Sequence, residues 1–461
     1  MRRHELLDAS TLEQARAIRE RQLSSFELVS AYLDRIAARD AELRAFVQLE
    51  PRRALAEARE KDRSVARGGP LPPFHGIPIG IKDLNLVRGF GMQAGSRALR
   101  WLAWSPIDDR SAAALRRAGF VIVGKLATSE LGAMPVTEPD IHPPTRNPWN
   151  PDYSPGGSSG GSGAAVAAGL LPLAHGSDGA GSVRIPAAFC HLFGLKPSRA
   201  RVPNQFGIRD PRVLYTCGPI TRTVEDAAAM LDVMHDRDRR SAVPRAAASF
   251  LELSQRRPAR LRIRVSTRAP FGTTHPEIAA ATLRVARTLE RAGHRLEEAP
   301  VVRAELAEFL PLWQALVASA RLPLGALQPV TRWLAESGRR VSRADREALH
   351  DALAARVREL FGDVDLWLTP AVAVPPPRIG AWSALPPSAA FSEAAVLGAF
   401  TALFNITGQP AASVPAGLTS EGLPIGVQLA GRPFEDGVVL AVARELEEAM
   451  PWRQRRPPLA A

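Results

Sequence analysis

Two glycine- and serine-rich segments hold the densest set of residues able to do chemistry in this 461-residue chain. The first is Pro155-Gly-Gly-Ser-Ser-Gly-Gly-Ser-Gly163, and the second is Gly176-Ser-Asp-Gly-Ala-Gly-Ser-Val-Arg-Ile-Pro186. Glycine lets backbone N–H groups approach a ligand closely, and serines set among such groups are natural nucleophiles. A hydroxyl is a weak nucleophile and needs a base beside it. The chain has four lysines, Lys61, Lys82, Lys125 and Lys196, among 59 basic residues. A chain this biased toward arginine keeps lysine mainly where arginine will not serve. The chemical difference is that a desolvated lysine can lose its proton, whereas guanidinium effectively never does. Lys82 closes the apolar run from Ile77 to Ile81, where burial would disfavour its charged form.

A glycine-rich loop has other uses. A phosphate-binding loop needs Gly-x-x-x-x-Gly-Lys-Ser/Thr, and no lysine lies between Lys125 and Lys196. Gly157-Ser-Ser-Gly-Gly161 matches the G-x-S-x-G nucleophile elbow around Ser159. That motif sits between a strand and a helix, with Asp and then His later in the chain. Here Asn150-Pro-Asp-Tyr-Ser-Pro155 precedes it and reads as loop, and no histidine has a triad context. A plain surface linker is the third use. An apolar helix and a second Gly/Ser segment follow, which instead points to a buried, shaped site.

These residues resemble the amidase signature family. Gly76-Ile-Pro-Ile-Gly-Ile-Lys-Asp83 and the two Gly/Ser segments look like its three catalytic blocks. Gly124-Lys-Leu-Ala-Thr-Ser-Glu-Leu131, Asn147-Pro-Trp-Asn-Pro151, Gly194-Leu-Lys-Pro197, Gly218 to Asp226, Asn405 to Pro410 and Gly422 to Pro433 agree with it. The resemblance spans about residues 8 to 456 and is weakest over 240–360. It implies that Ser182 is the nucleophile, that Ser158 is a bridging serine on a cis peptide bond, and that Lys82 is the terminal base. It further implies an oxyanion hole made by the backbone N–H groups of Gly179, Ala180, Gly181 and Ser182. Many relatives have Thr-Gly-Gly-Ser where this chain has Gly179-Ala-Gly-Ser182, which matters if the Ala180 position requires positive φ. Ser159 is expected to hydrogen-bond within the relay, and Asp178 and Arg184 to fix the loop by charge-assisted hydrogen bonds. Lys125 and Lys196 are expected to be structural, and His175 and His191 to be packed side chains.

The elements that must position these residues are legible as periodicity. Residues 11–60 have apolar positions three and four apart and read as two amphipathic helices, with Ser10 and Ser24 or Ser25 as N-caps. The runs 77–81, 120–124, 261–265 and 365–369 read as strands, and 109–118, 163–170, 277–292 and 437–449 as helices. Alternating strand and helix predicts an α/β protein. In the resembled fold, a large mixed, mostly parallel central sheet is covered by helices on both faces. One domain over 1–461 is the simplest division: a helical segment at 8–66, a catalytic core at 70–235, a mostly helical insertion at about 240–360, and a C-terminal return at 361–456.

The remaining sequence features narrow the function. Cys190 and Cys217 cannot build a disulfide framework, no residues have metal-ligand spacing, and no cofactor motif is present, so neither metal nor cofactor is expected. The net charge of +12 is dispersed as single and paired arginines among acidic residues, which reads as a solvated surface rather than a nucleic-acid site. The opening Met1-Arg-Arg-His-Glu-Leu-Leu-Asp8 lacks the apolar core of a signal peptide, and the longest apolar run, around Ala164 to Ala174, is too short for a bilayer. A cytoplasmic monomer or homodimer without a membrane partner is expected. The leading expectation is an amidohydrolase for small to medium apolar amides, anilides, esters or carbamates. The alternatives are the amidase subunit of a tRNA-dependent amidotransferase and a non-catalytic binding protein, the latter disfavoured by the presence of all three relay residues. Trp101, Trp104, Met134, Phe206, Tyr215, Trp313, Trp367 and Phe400 could line a pocket or fill a core. The loops at 134–146 and 203–216, with the 240–360 stretch, are expected to shape the pocket.

Overall fold

The computed structural model describes residues 7–203, 210–235, 243–300 and 304–460. In chain order its strands are β1 (Phe46–Leu49), β2 (Pro78–Lys82), β3 (Val121–Leu126), β4 (Leu173–Asp178), β5 (Phe193–Lys196), β6 (Thr216–Thr221), β7 (Arg262–Val265), β8 (Arg295–Glu298), β9 (Leu366–Pro370), β10 (Ala411–Leu418) and β11 (Pro424–Gly431). They form one sheet in the order β1-β3-β2-β4-β6-β5-β10-β11-β9-β7-β8.

The central strands are apolar almost throughout because both faces of the sheet are covered. Every residue of β2, β3 and β4 is buried. Successive strand residues point to opposite faces, and the core divides accordingly. Ile79, Ile81, Ile122 and Leu173 join one cluster with Ile18, Met230 and Leu440 from helices Thr11–Arg19, Val224–Met234 and Asp436–Ala449. Val121, Val123 and Ala174 join another with Val29, Ile36 and Ala164 from helices Ser25–Leu43 and Gly160–Ala167.

The sheet is mixed, as expected, but the parallel majority is not found. Parallel pairing joins β2 to β3 and β4, and β7 to β8 and β9, while the six other neighbouring pairs are antiparallel. A parallel neighbour needs a crossover, usually a helix, whereas antiparallel strands can be joined by a tight turn. Thr419 to Leu423 turns β10 directly back into β11, and no helix is described between β5 and β6. Two further differences concern helices. The 11–60 stretch, expected as two helices, holds Thr11–Arg19, Ser25–Leu43, the strand β1 and the start of a third helix, Pro51–Arg67. The 240–360 stretch carries helices such as Leu306–Ala318 and Arg343–Phe361, but also β7 and β8 at the sheet edge. Ser10 and Ser24 do cap the first two helices, each in a capping box.

Candidate active site

Lys82 is the last residue of β2, and Ser177 and Asp178 end the neighbouring parallel strand β4. The pairing of Ile81 with His175 puts these carboxyl-terminal ends side by side. Such ends are where open α/β sheets place their ligands. The first Gly/Ser segment meets them from one side. It is not a surface linker, since Pro155 through Gly163 are all buried. Its glycines are required by close approach: a Cβ on Gly161 would lie 2.4 Å from Ala127 N and 2.5 Å from Ala45 O. The Gly157–Ser158 peptide bond is cis, and the helix Gly160–Ala167 starts directly after Ser159.

Lys82 has no solvent exposure, and its Nζ lies 2.7 Å from Ser158 Oγ, 3.1 Å from Ser177 Oγ and 3.2 Å from Ser177 O. Burial lowers its pKa from 10.5 to about 7, against the opposing pull of Asp178. In the neutral form that burial favours, the amine has two N–H groups to donate to Ser177 O and Oγ and one lone pair to accept the Ser158 hydroxyl. Ser158 and Ser182 line the same cavity of about 410 Å³, together with Ser177 and Gly179. Ser159 contacts Ser177 rather than Lys82: its Oγ donates to Ser177 O at 3.2 Å, and its N–H donates to Ser182 O at 3.2 Å.

The loop from Asp178 to Ser182 is fixed by a buried ionic network. Arg184 donates to both carboxylate oxygens of Asp178, from Nη2 at 2.8 Å and Nε at 2.9 Å. It also donates to Gln428 Oε1 at 2.6 Å, Asn405 Oδ1 at 2.5 Å and Thr401 O at 2.9 Å. Burial alone would raise the Asp178 pKa, but Arg184, Lys196 and Asn405 together hold it well below the usual carboxylate range. Asp178 in turn accepts Gly181 N–H at 2.7 Å, while Thr401 Oγ1 donates to Ala180 O at 2.6 Å. The Ala180–Gly181 peptide is thus held at both ends. Of the four expected oxyanion donors, Gly181 N–H is committed to Asp178. Those of Gly179, Ala180 and Ser182 have no protein acceptor among the described residues. Positive φ falls on Gly181, at 131°, and not on Ala180, so alanine is accommodated there.

Other singled-out residues are placed as follows. Lys125 is buried and donates to Asp83 Oδ1 at 2.7 Å, Gly91 O at 2.8 Å and Asn85 O at 2.9 Å. Lys196 Nζ donates to Pro197 O at 2.9 Å, and burial with the nearby Arg184 lowers its pKa to about 7. His175 is fully buried, and desolvation with Lys82 and Lys125 nearby lowers its pKa to about 3, which leaves it uncharged. His191 packs edge-on against Trp149. Met134, Tyr215 and Trp313 line cavities at Ser182. Trp367 and Phe400 are buried at 2% exposure, whereas Trp101 and Trp104 are exposed on the surface. Phe206 lies outside the described residues.

Reasoning from sequence missed Ser177, Thr401, Asn405 and Gln428. Two of them carry a signal: Asn405 is a lone amide in Ala402–Thr407, and Gln428 is the lone polar side chain in β11, whose eight residues are all buried. A buried polar group is rare unless hydrogen-bonded, so such a residue implies a partner.

The chain matches a known enzyme class: the model of the Amidase family covers residues 27–440. The chain belongs to this family and is a hydrolase acting on carbon–nitrogen bonds. It is similar to the 6-aminohexanoate-cyclic-dimer hydrolase of Pseudomonas sp. (strain NK87), 36% identical over 97% of this chain and 96% of that protein. A solved 6-aminohexanoate cyclic dimer hydrolase superposes with a TM-score of 0.89 at 32% identity, covering 98% of this chain and 99% of the other. A bacterial aryl acylamidase of the amidase signature enzymes superposes at 0.87, with 27% identity and 97% of both chains covered. No helix among the described residues is long and apolar enough to cross a membrane.

Proposed function

We propose that Lys82, Ser158 and Ser182 form a proton relay that cleaves amides through an acyl-enzyme on Ser182. Neutral Lys82 accepts the proton of Ser158, which accepts that of Ser182 as its Oγ attacks the carbonyl carbon. The N–H groups of Gly179, Ala180 and Ser182 face the oxyanion, each such donor being worth roughly 10² to 10³ in rate. On collapse the C–N bond breaks, and the proton returns through Ser158 to the leaving nitrogen. Water then attacks the acyl-enzyme by the same relay. The observation that carries this reading is the 2.7 Å contact between a fully buried Lys82 and Ser158 in the cavity that Ser182 also lines.

The substrate we infer is a small to medium apolar amide or anilide. The mostly apolar cavity walls support it, as do the cyclic dimer and aryl acylamide named for the two solved relatives. Ester and carbamate carbonyls can enter the same acyl-enzyme. All relay residues come from one chain, which suits a monomer or a homodimer. The test is turnover of a panel of aliphatic amides, anilides, esters and carbamates by wild type, Lys82→Ala and Ser182→Ala. Each variant should lose about 10³-fold or more in kcat while keeping the wild-type circular dichroism spectrum. Near-normal turnover by either folded variant would defeat the relay.

A further inference from the structure

Two cavities meet at Ser182, and they differ in size, lining and access to the relay. The larger, about 410 Å³, contains Ser158, Ser177 and Gly179 and opens past Leu316 toward Arg212 and His350. The smaller, about 80 Å³, is mostly apolar, lined by Ala180, Ile185, Phe309, Leu353 and Leu403 with the paired Glu308 and Arg356 beside them, and Ser158 does not line it.

Trp313 borders both. Its indole N–H donates to Ala133 O at 3.0 Å, and its ring stacks on Phe309 at 6.0 Å between centroids. A Cβ on Gly179 would come within 3.2 Å of the ring edge. The indole is therefore held in place beside the nucleophile loop. Its helix, Leu306–Ala318, runs from one cavity to the other: Leu306 and Phe309 in its first half line the small cavity, and Leu312 and Leu316 in its second half line the large one.

The path of the proton decides which half of the substrate goes where. The proton taken from Ser182 reaches the leaving nitrogen through Ser158, and Ser158 lines the larger cavity alone of the two. The amine half must occupy that cavity, which leaves the smaller one for the acyl group.

We propose that Trp313 partitions the active site and so sets substrate orientation and specificity: a short or flat apolar acyl group beside Phe309 and Leu353, and a bulkier amine beside Ser158 and Leu316. This rests on the Ser182 acyl-enzyme reading.

Two isomeric anilides test it with equal hydrophobicity. In para-butylacetanilide the alkyl chain is on the amine side, and in hexananilide it is on the acyl side. Wild type should favour para-butylacetanilide by about tenfold or more in kcat/KM, since a few methylene groups misplaced in a pocket carry factors of that size. Leu353→Ala, which widens the acyl chamber alone, should raise hexananilide relative to its isomer, and Leu316→Ala should not. Trp313→Ala should bring the ratio toward unity. A wild-type enzyme that requires Ser182 yet prefers hexananilide would overturn the partition alone, as would a ratio unmoved in Leu353→Ala. The Leu353→Ala result decides even if Trp313→Ala does not fold. Turnover surviving in Ser182→Ala would overturn the relay reading instead, and the orientation with it.

Discussion

In the proposed relay Lys82 carries the heaviest chemical demand, because it must be uncharged to act as a base. Burial brings its pKa to about 7, so the neutral fraction grows as pH rises through that value. We expect kcat/KM to be low in acid, to rise through about pH 7 and to level off above it. A rise that continued toward the ordinary lysine value of 10.5 would contradict a desolvated base. Lysine scarcity drew attention to all four lysines alike, and the apolar run from Ile77 to Ile81 marked Lys82 as buried, as it is. Of the four lysines, Lys82, Lys125 and Lys196 are at most 1% exposed, and each makes contacts that a guanidinium of different shape would not. Ser177 was not legible, because a serine among serines and glycines gives no sign of which ones a lysine will touch. Ala180 raised a question that only backbone geometry answers, since φ at that position is not encoded in the residue name.

At the scale of elements, the Asp178–Ser182 loop is positioned by a strand end, by the hydrogen bond from Gly181 N–H to Asp178 and by the buried salt bridge that holds Asp178. Asp178 and Arg184 have no solvent exposure, so neither charge can be left alone. Arg184→Met should cost about 3–5 kcal/mol, the usual result of stranding one member of a buried pair. Urea denaturation would register it as a lower midpoint with an unchanged slope, and a loss below about 1 kcal/mol would mean that the loop is held by something else. Three buried strands were readable because they are mostly apolar: β2, β3 and β9 each lie within a residue or two of their expected bounds, whereas β4, which carries Ser177 and Asp178, runs into the second Gly/Ser segment and was not read as a strand. β1 was not readable. It is a four-residue strand of intermediate burial between two helices, and its short apolar pattern merges with the helical periodicity on either side. The contacts of Asn405 and Gln428 with Arg184 span 221 and 244 residues, a separation at which local pattern carries no information about who meets whom.

At the scale of the whole molecule, the sheet joins the amino-terminal catalytic blocks to the carboxyl-terminal strands. β5 pairs with β10, which brings the helix Ala402–Thr407 and β11 to Arg184 beside the Asp178–Ser182 loop. The strand directions could not be read from composition, because a strand buried on both faces looks alike in either orientation. The net charge of +12 is spread over a surface on which arginines pair with acids, as in Arg343 with Glu347, Arg356 with Glu308 and Arg444 with Glu448. Such interspersed charge fits an enzyme of small molecules better than a nucleic-acid surface. The purified chain should therefore hydrolyse an anilide with no second protein and no nucleotide. A strict need for a partner chain would favour an amidotransferase subunit instead.

The central claim, that the substrate's acyl group passes through Ser182, has one direct measurement. Quenching the enzyme in acid during turnover of an activated anilide or ester, followed by intact-mass and peptide mass spectrometry, should reveal an adduct of acyl mass on the peptide containing Ser182. It should be absent from Ser182→Ala. An adduct on Ser158 or Ser159 in the wild type, or one that persists in Ser182→Ala, would contradict the account.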